Sequence, residues 1–99
     1  MSAGIDLDEF EWDERKRQSN LEKHGIDFTD AARGLLLPHL IAPARSEGET
    51  RWVAVLPIEG RLAAVVYVVR NRRCRIISAR IARRNERKAY HARFGLAPP

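Results

Sequence analysis

Ninety-nine residues, 44% of them hydrophobic, suit one domain with a modest core; no run approaches the ~20 apolar residues of a membrane span, and the acidic start lacks the apolar segment of a secretory leader, so a cytoplasmic protein is expected. The one cysteine, Cys74, rules out an internal disulfide and a cysteine-built metal site, and reads as a small core residue beside an apolar run. The net charge of +5 points toward a polyanion or an acidic partner and says nothing about the fold.

Residues 1–8 read as a loose acidic tail and 9–95 as the folded domain. Phe10-Glu11-Trp12 alternates apolar and polar and fits a short strand. Asp13 is placed to cap a helix running to Lys23 or His24, with Gly25 as its stop. Asp27 is placed to cap a second helix, with Asp30 at its third position, which runs through Ala31, Ala32 and Leu35 and ends before Pro38. A weak strand is predicted over 39–43, then a loop over Arg45–Thr50. Arg51–Ile58, Leu62–Arg70 and Arg75–Ile81 are rich in Val, Ile and aromatic residues and read as strands. Glu59-Gly60-Arg61 and Asn71-Arg72-Arg73 are hairpin-length, so these three strands should pair antiparallel; Pro57 near a strand end is tolerated there. A last helix covers Arg83–Arg93 and stops at Gly95. The order predicts an α+β fold: an antiparallel meander with the two N-terminal helices and the C-terminal one on a single face, the other face partly open to a ligand or partner.

Charge is polarised along the chain. Residues 1–14 hold six acids and no base, whereas 70–93 hold ten bases against Glu86, a local charge of +9. That is the footprint of a phosphate-binding surface, or equally of a solvated basic helix. The first helix is short of apolar residues: between Asp13 and His24 only Leu21 is large and apolar. Trp12, Lys16, Asn20 and His24 recur every four residues and share one face, with Lys23 beside them. A cation, an amide and an imidazole in line suit a phosphodiester; the competing reading is a solvated helix anchored by Trp12 and Leu21. In the last strand, alternation puts Ile76, Ser78 and Arg80 on one face and Arg75, Ile77, Ala79 and Ile81 on the other. Arg80 beside Ser78 offers a planar fork for a phosphate. Glu86 and Tyr90 stand one helical turn apart, as do Arg84 and Lys88. His39 and His91 have no assigned role, and the three histidines form no recognisable metal motif. These features fit a nuclease, a non-enzymatic basic module that grips nucleic acid through phosphates, or a structural subunit for an acidic protein.

Three segments together carry a resemblance. They are Phe10-Glu-Trp12-Asp13-Glu-Arg-Lys16-Arg-Gln-Ser-Asn20-Leu-Glu-Lys23-His24-Gly25-Ile-Asp-Phe28 followed by Ala31; Ser46-Glu-Gly-Glu49-Thr-Arg51-Trp52; and Arg75-Ile76-Ile77-Ser78-Ala79-Arg80-Ile-Ala82-Arg-Arg84-Asn-Glu86-Arg87-Lys-Ala-Tyr90. They resemble the BrnT family of type II toxins over about residues 9–91. The stretch Pro38–Arg45 departs from the family, whose members often carry aspartates and a histidine there. The resemblance implies a fold like the RelE group of ribonuclease toxins and RNA cleavage without metal or other cofactor. It also implies a BrnA-type antitoxin, in a two-plus-two complex, that blocks the toxin and alone contacts promoter DNA.

Cleavage of that kind takes the ribose 2′-OH as nucleophile. It needs a base for that hydroxyl, positive charge for the phosphate and an acid for the leaving oxygen. On this reading His24 transfers a proton, and Lys23 and Arg80 hold the phosphate. Glu86 and Tyr90 aid proton transfer or hold an arginine. Lys16, Arg70, Ser78 and Arg84 are further RNA contacts.

Overall fold

In the computed structural model, which describes residues 9–95, the predicted elements form in the predicted order. The acidic tail expected over residues 1–8 lies outside the described residues. The elements are β1 (Phe10–Glu11), α1 (Glu14–His24), α2 (Phe28–Leu35), β2 (Leu40–Ala44), β3 (Arg51–Ile58), β4 (Arg61–Arg70), β5 (Arg73–Ile81) and α3 (Arg84–Phe94). Asp13 caps α1 by accepting from the Arg15 and Lys16 N–H groups (2.8 and 3.2 Å). Gly25 ends α1 in the left-handed region (φ 69°), its N–H returning to the Leu21 carbonyl. Both β-hairpin loops shrink to two residues with positive φ, Glu59-Gly60 and Asn71-Arg72, as a twisted antiparallel pair favours.

The sheet order is β1-β5-β4-β3-β2. Three of its four pairings are antiparallel, but β1 runs parallel to β5, so the sheet is mixed rather than purely antiparallel. A two-residue strand with no hairpin partner gives no sign of its direction, and a parallel neighbour is reached only through a long crossover. The helices also do not share a face. Along β3, Ala54, Leu56 and Ile58 enter one core with Phe28, Ala31, Ala32 and Leu35 of α2, while Val55 enters a second core with Leu62, Ala82 and Tyr90 of α3. Successive strand residues point to opposite faces, so α3 covers the face opposite α1 and α2. The reason is written in β3 and β4, whose near-continuous apolar runs need cover on both sides.

The predicted alternation of β5 breaks at one place. Tyr67 pairs with Ile76 and Val66 with Ser78, leaving Ile77 without a partner: a β-bulge. Ile76 therefore shares the first core with Ala79 and Cys74 and does not share a face with Ser78 and Arg80.

Trp12 does anchor the start of α1, edge-on to Phe28 (6.1 Å between ring centroids). Leu21 does not; it is 40% exposed, whereas Asn20 is only 7% exposed. The Asn20 amide donates to the Ile26 carbonyl (3.0 Å) and the Ala79 carbonyl (2.8 Å), and its oxygen accepts the Ala79 N–H (3.1 Å). β1 pairs with β5 only at Cys74 and Arg75, so at Ala79 the carboxamide takes the place of a neighbouring strand. A second tie joins α1 to α2: the Arg17 guanidinium forks onto the Asp27 carboxylate (2.9 and 3.0 Å), which also accepts the Thr29 N–H.

Two predictions follow from these ties. Asn20→Ala should destabilise the fold by roughly 2–4 kcal/mol, because it leaves buried backbone groups unpaired. Asn20→Asp should cost more, since a carboxylate would face two carbonyl oxygens; urea-unfolding midpoints rank the pair. The Arg17 guanidinium holds the Asp27 carboxyl down to about 2. A depressed carboxyl contributes stability that is complete above its unfolded value and is lost as pH falls through the folded one. The stability gap between wild type and Asp27→Asn should therefore be flat above about pH 4 and close between about pH 4 and 2.

Candidate active site

Because β1 stops at Glu11, the outer edge of β5 beyond Arg75 has no strand beside it among the described residues. Helix α1 crosses there instead, and an open cleft of about 200 Å³ remains between the two, lined by Lys16, Ser19, Asn20, Lys23, His24, Ile77 and Ser78. Of the row read from the sequence, Lys16, Asn20 and His24, with Lys23, thus face one cavity, whereas Trp12 packs against Phe28 instead. Lys16, Lys23 and His24 are solvent-exposed, and no acid lines the cleft. Asn20 forms its floor but is not available to a substrate, because both ends of its amide are taken by backbone. Lys23 and His24 lie in the last turn of α1, where carbonyl ends favour cationic side chains. Two lysines and an imidazole around an acid-free pocket can hold a phosphate and exchange a proton beside it.

The other expected site residues lie elsewhere. Arg80 does not stand free beside Ser78. Its guanidinium forks onto Glu86 of α3 (2.8 and 3.0 Å), and both side chains are mostly covered. Glu86 also accepts the Arg83 N–H (2.7 Å), one half of a capping box at the start of α3. The Arg80 guanidinium, ahead of the Arg83 N–H, holds the Glu86 carboxyl below its ordinary value against the opposing effect of burial. Arg87 adds a bond to the Ala82 carbonyl (2.7 Å). Tyr90 is buried in the second core, its ring 4.8 Å from that of Phe94. Arg70 is held by Glu49 through three contacts of 2.8–3.0 Å, which tie the 45–50 loop to the end of β4. Arg84 is exposed at the first position of α3.

Sequence reading missed Ser19, which stands one position off the row, and Ile77, which reaches the cleft because the bulge turns it out of the alternation. Among the described residues, no three His, Cys, Asp or Glu side chains converge as a metal-binding group, and no helix is long and apolar enough to cross a membrane.

A family model described as the ribonuclease toxin, BrnT, of type II toxin-antitoxin systems matches residues 12–86, from just before α1 into the first turn of α3. No curated relative and no solved structure matches the chain.

Glu86→Ala should lower stability by roughly 1–3 kcal/mol by stranding Arg80 and opening the first turn of α3. Hydrogen exchange should quicken in α3 and stay unchanged in α1; Arg84→Ala, at an exposed site, should shift stability by no more than about 0.5 kcal/mol.

Proposed function

The chain belongs to the BrnT family of ribonuclease toxins of type II toxin-antitoxin systems, and from that footing we propose that it is a cytoplasmic endoribonuclease that cuts RNA without a metal ion, at the cleft between α1 and β5. The observation that carries the proposal is the convergence of Lys16, Lys23 and His24 with Ser78 around one open, acid-free cavity. A phosphodiester seated there has its charge met by the two ammonium groups. His24 accepts the proton of the ribose 2′-OH as that oxygen attacks phosphorus. The bond to the 5′-oxygen breaks, that oxygen takes a proton from water admitted by the open cleft, and a 2′,3′-cyclic phosphate is left on the upstream fragment. Charge building on the phosphoryl oxygens is stabilised by the ammonium groups of Lys23 and Lys16. Ser78 contacts the strand from the β5 side.

In this reading Arg80 and Glu86 are positioning residues: their pair fixes the end of β5 to α3 and so holds Ser78 opposite His24. Tyr90 keeps α3 seated. Arg84 and Arg70 take phosphates farther along the RNA, Arg70 by giving up Glu49. A basic cleft of this kind is neutralised by an antitoxin protein, which we assign to the BrnA type in a two-plus-two assembly, with promoter DNA bound through the antitoxin alone.

The test is purified, antitoxin-free protein on total RNA with EDTA, beside His24→Ala and Lys23→Ala/His24→Ala. Wild type should yield fragments ending in 2′,3′-cyclic phosphate, and His24→Ala should lose about 10²–10⁴ in rate while remaining folded. Full cleavage by a folded His24→Ala variant would place the proton transfer elsewhere. Binding without cleavage, weakening steeply with salt and unchanged by added ribosomes, would make the chain a nucleic-acid-binding module instead.

A further inference from the structure

In a chain that is 31% charged, residues 34–44 (Gly-Leu-Leu-Leu-Pro-His-Leu-Ile-Ala-Pro-Ala) contain no Asp, Glu, Lys or Arg. The comparable runs 52–58 and 62–69 belong to the inner strands β3 and β4. This one does not: it spans the end of α2, a turn and all of β2, which among the described residues is the last strand of the sheet, paired on one side only. Its side chains are correspondingly exposed, Leu36 at 44%, Leu37 at 59% and Ile41 at 50%. On the α3 face, Leu40, Ala42 and Pro43 of the same strand line an apolar groove of about 330 Å³ with Val53, Val55 and Ala89. Asn85 and Glu86 also line the groove, and Glu86 is already paired with Arg80, so the surface that wraps the edge from both faces is mostly apolar and presents no unpaired charge. An edge strand without charge is a template for another strand, and here Pro43 alone interrupts the row of donors, which leaves Ile41 at the middle of the unbroken stretch 40–42 of β2.

We infer that β2 is a dimerisation edge, and that its occupant is β2 of a second copy of this chain, paired antiparallel across a two-fold axis. Three features select that occupant. An antiparallel edge presents the same pattern of donors and acceptors to its own image, so two copies satisfy each other. Each copy carries a net charge of +5, so two copies meet most cheaply where neither has charge, and Arg33, at the rim, is already paired with Asp30. A partner recognised through opposite charge would find no cation within the strip. Association also stops at two. The opposite edge offers little to a further copy: it ends in the two-residue β1, and beyond β1 the Asn20 amide already pairs with Ala79. In the dimer Ile41 lies at the axis, with Leu36 and Leu37 flanking it. The inference does not depend on the activity assigned above.

Sedimentation velocity on the purified full-length chain over a range of micromolar concentrations, at low and at raised salt, tests it. A reversible dimer is expected, and added salt should strengthen it by screening the like charge of the two copies. Ile41→Arg and Leu37→Lys should each weaken it at least about tenfold. Leu37 lies on an exposed turn, so its variant decides the matter even if Ile41→Arg fails to fold. A monomer under all these conditions overturns the inference. So does a dimer indifferent to both substitutions, or one that salt dissolves.

Discussion

One side-chain amide sets the geometry on which the cleft depends. Helix α1 has a single buried residue, and it is Asn20 rather than an aliphatic one. A helix with no apolar stripe has little to hold it against a sheet. Packing would also leave its rotation loosely specified. Hydrogen bonds are directional, and a carboxamide that answers both the N–H and the C=O of Ala79 admits one orientation. That orientation turns Lys16, Lys23 and His24 toward Ile77 and Ser78. Specificity of placement is obtained here from polar pairing in a buried setting, where an unmet group is costly.

The sheet itself is held from two sides. One core lies under α1 and α2 and the other under α3, with β3 and β4 contributing to both. The second core is small, and α3 exposes mostly charged side chains, so the ties from Arg80 to Glu86 and from Arg87 to Ala82 add directional attachments at its first turn. Arg80, which reads as a phosphate ligand in a list of residues, is in this respect structural. The basic C-terminal quarter is divided between attachments of this kind and exposed cations such as Arg84 and Lys88.

Local chemistry was the legible part of the sequence. The caps at Asp13 and Asp27, the Gly25 stop and the hairpin loops each act through neighbouring residues, and each was read within a residue or two of its observed place. The lysine-histidine row was legible for the same reason, since a helix puts every fourth residue on one side. What escaped was long-range. The direction of β1 is set by its meeting with β5, sixty-four positions away at Glu11 and Arg75. The Ile77 bulge depends on pairing across two strands. The true role of Asn20 and the occupation of Arg80 by Glu86 depend on which elements become neighbours, which no periodicity records.

The bond between Asn20 and Ala79 joins residues 59 positions apart. Its consequence concerns synthesis. A growing chain makes α1 early, but the partner that orients it is among the last residues of β5 to be translated. Until that strand has left the ribosome, the lysines and the histidine sit on a helix with nothing to face. The cleft therefore does not exist in nascent or prematurely ended chains, and it appears only once most of the protein is free in solution.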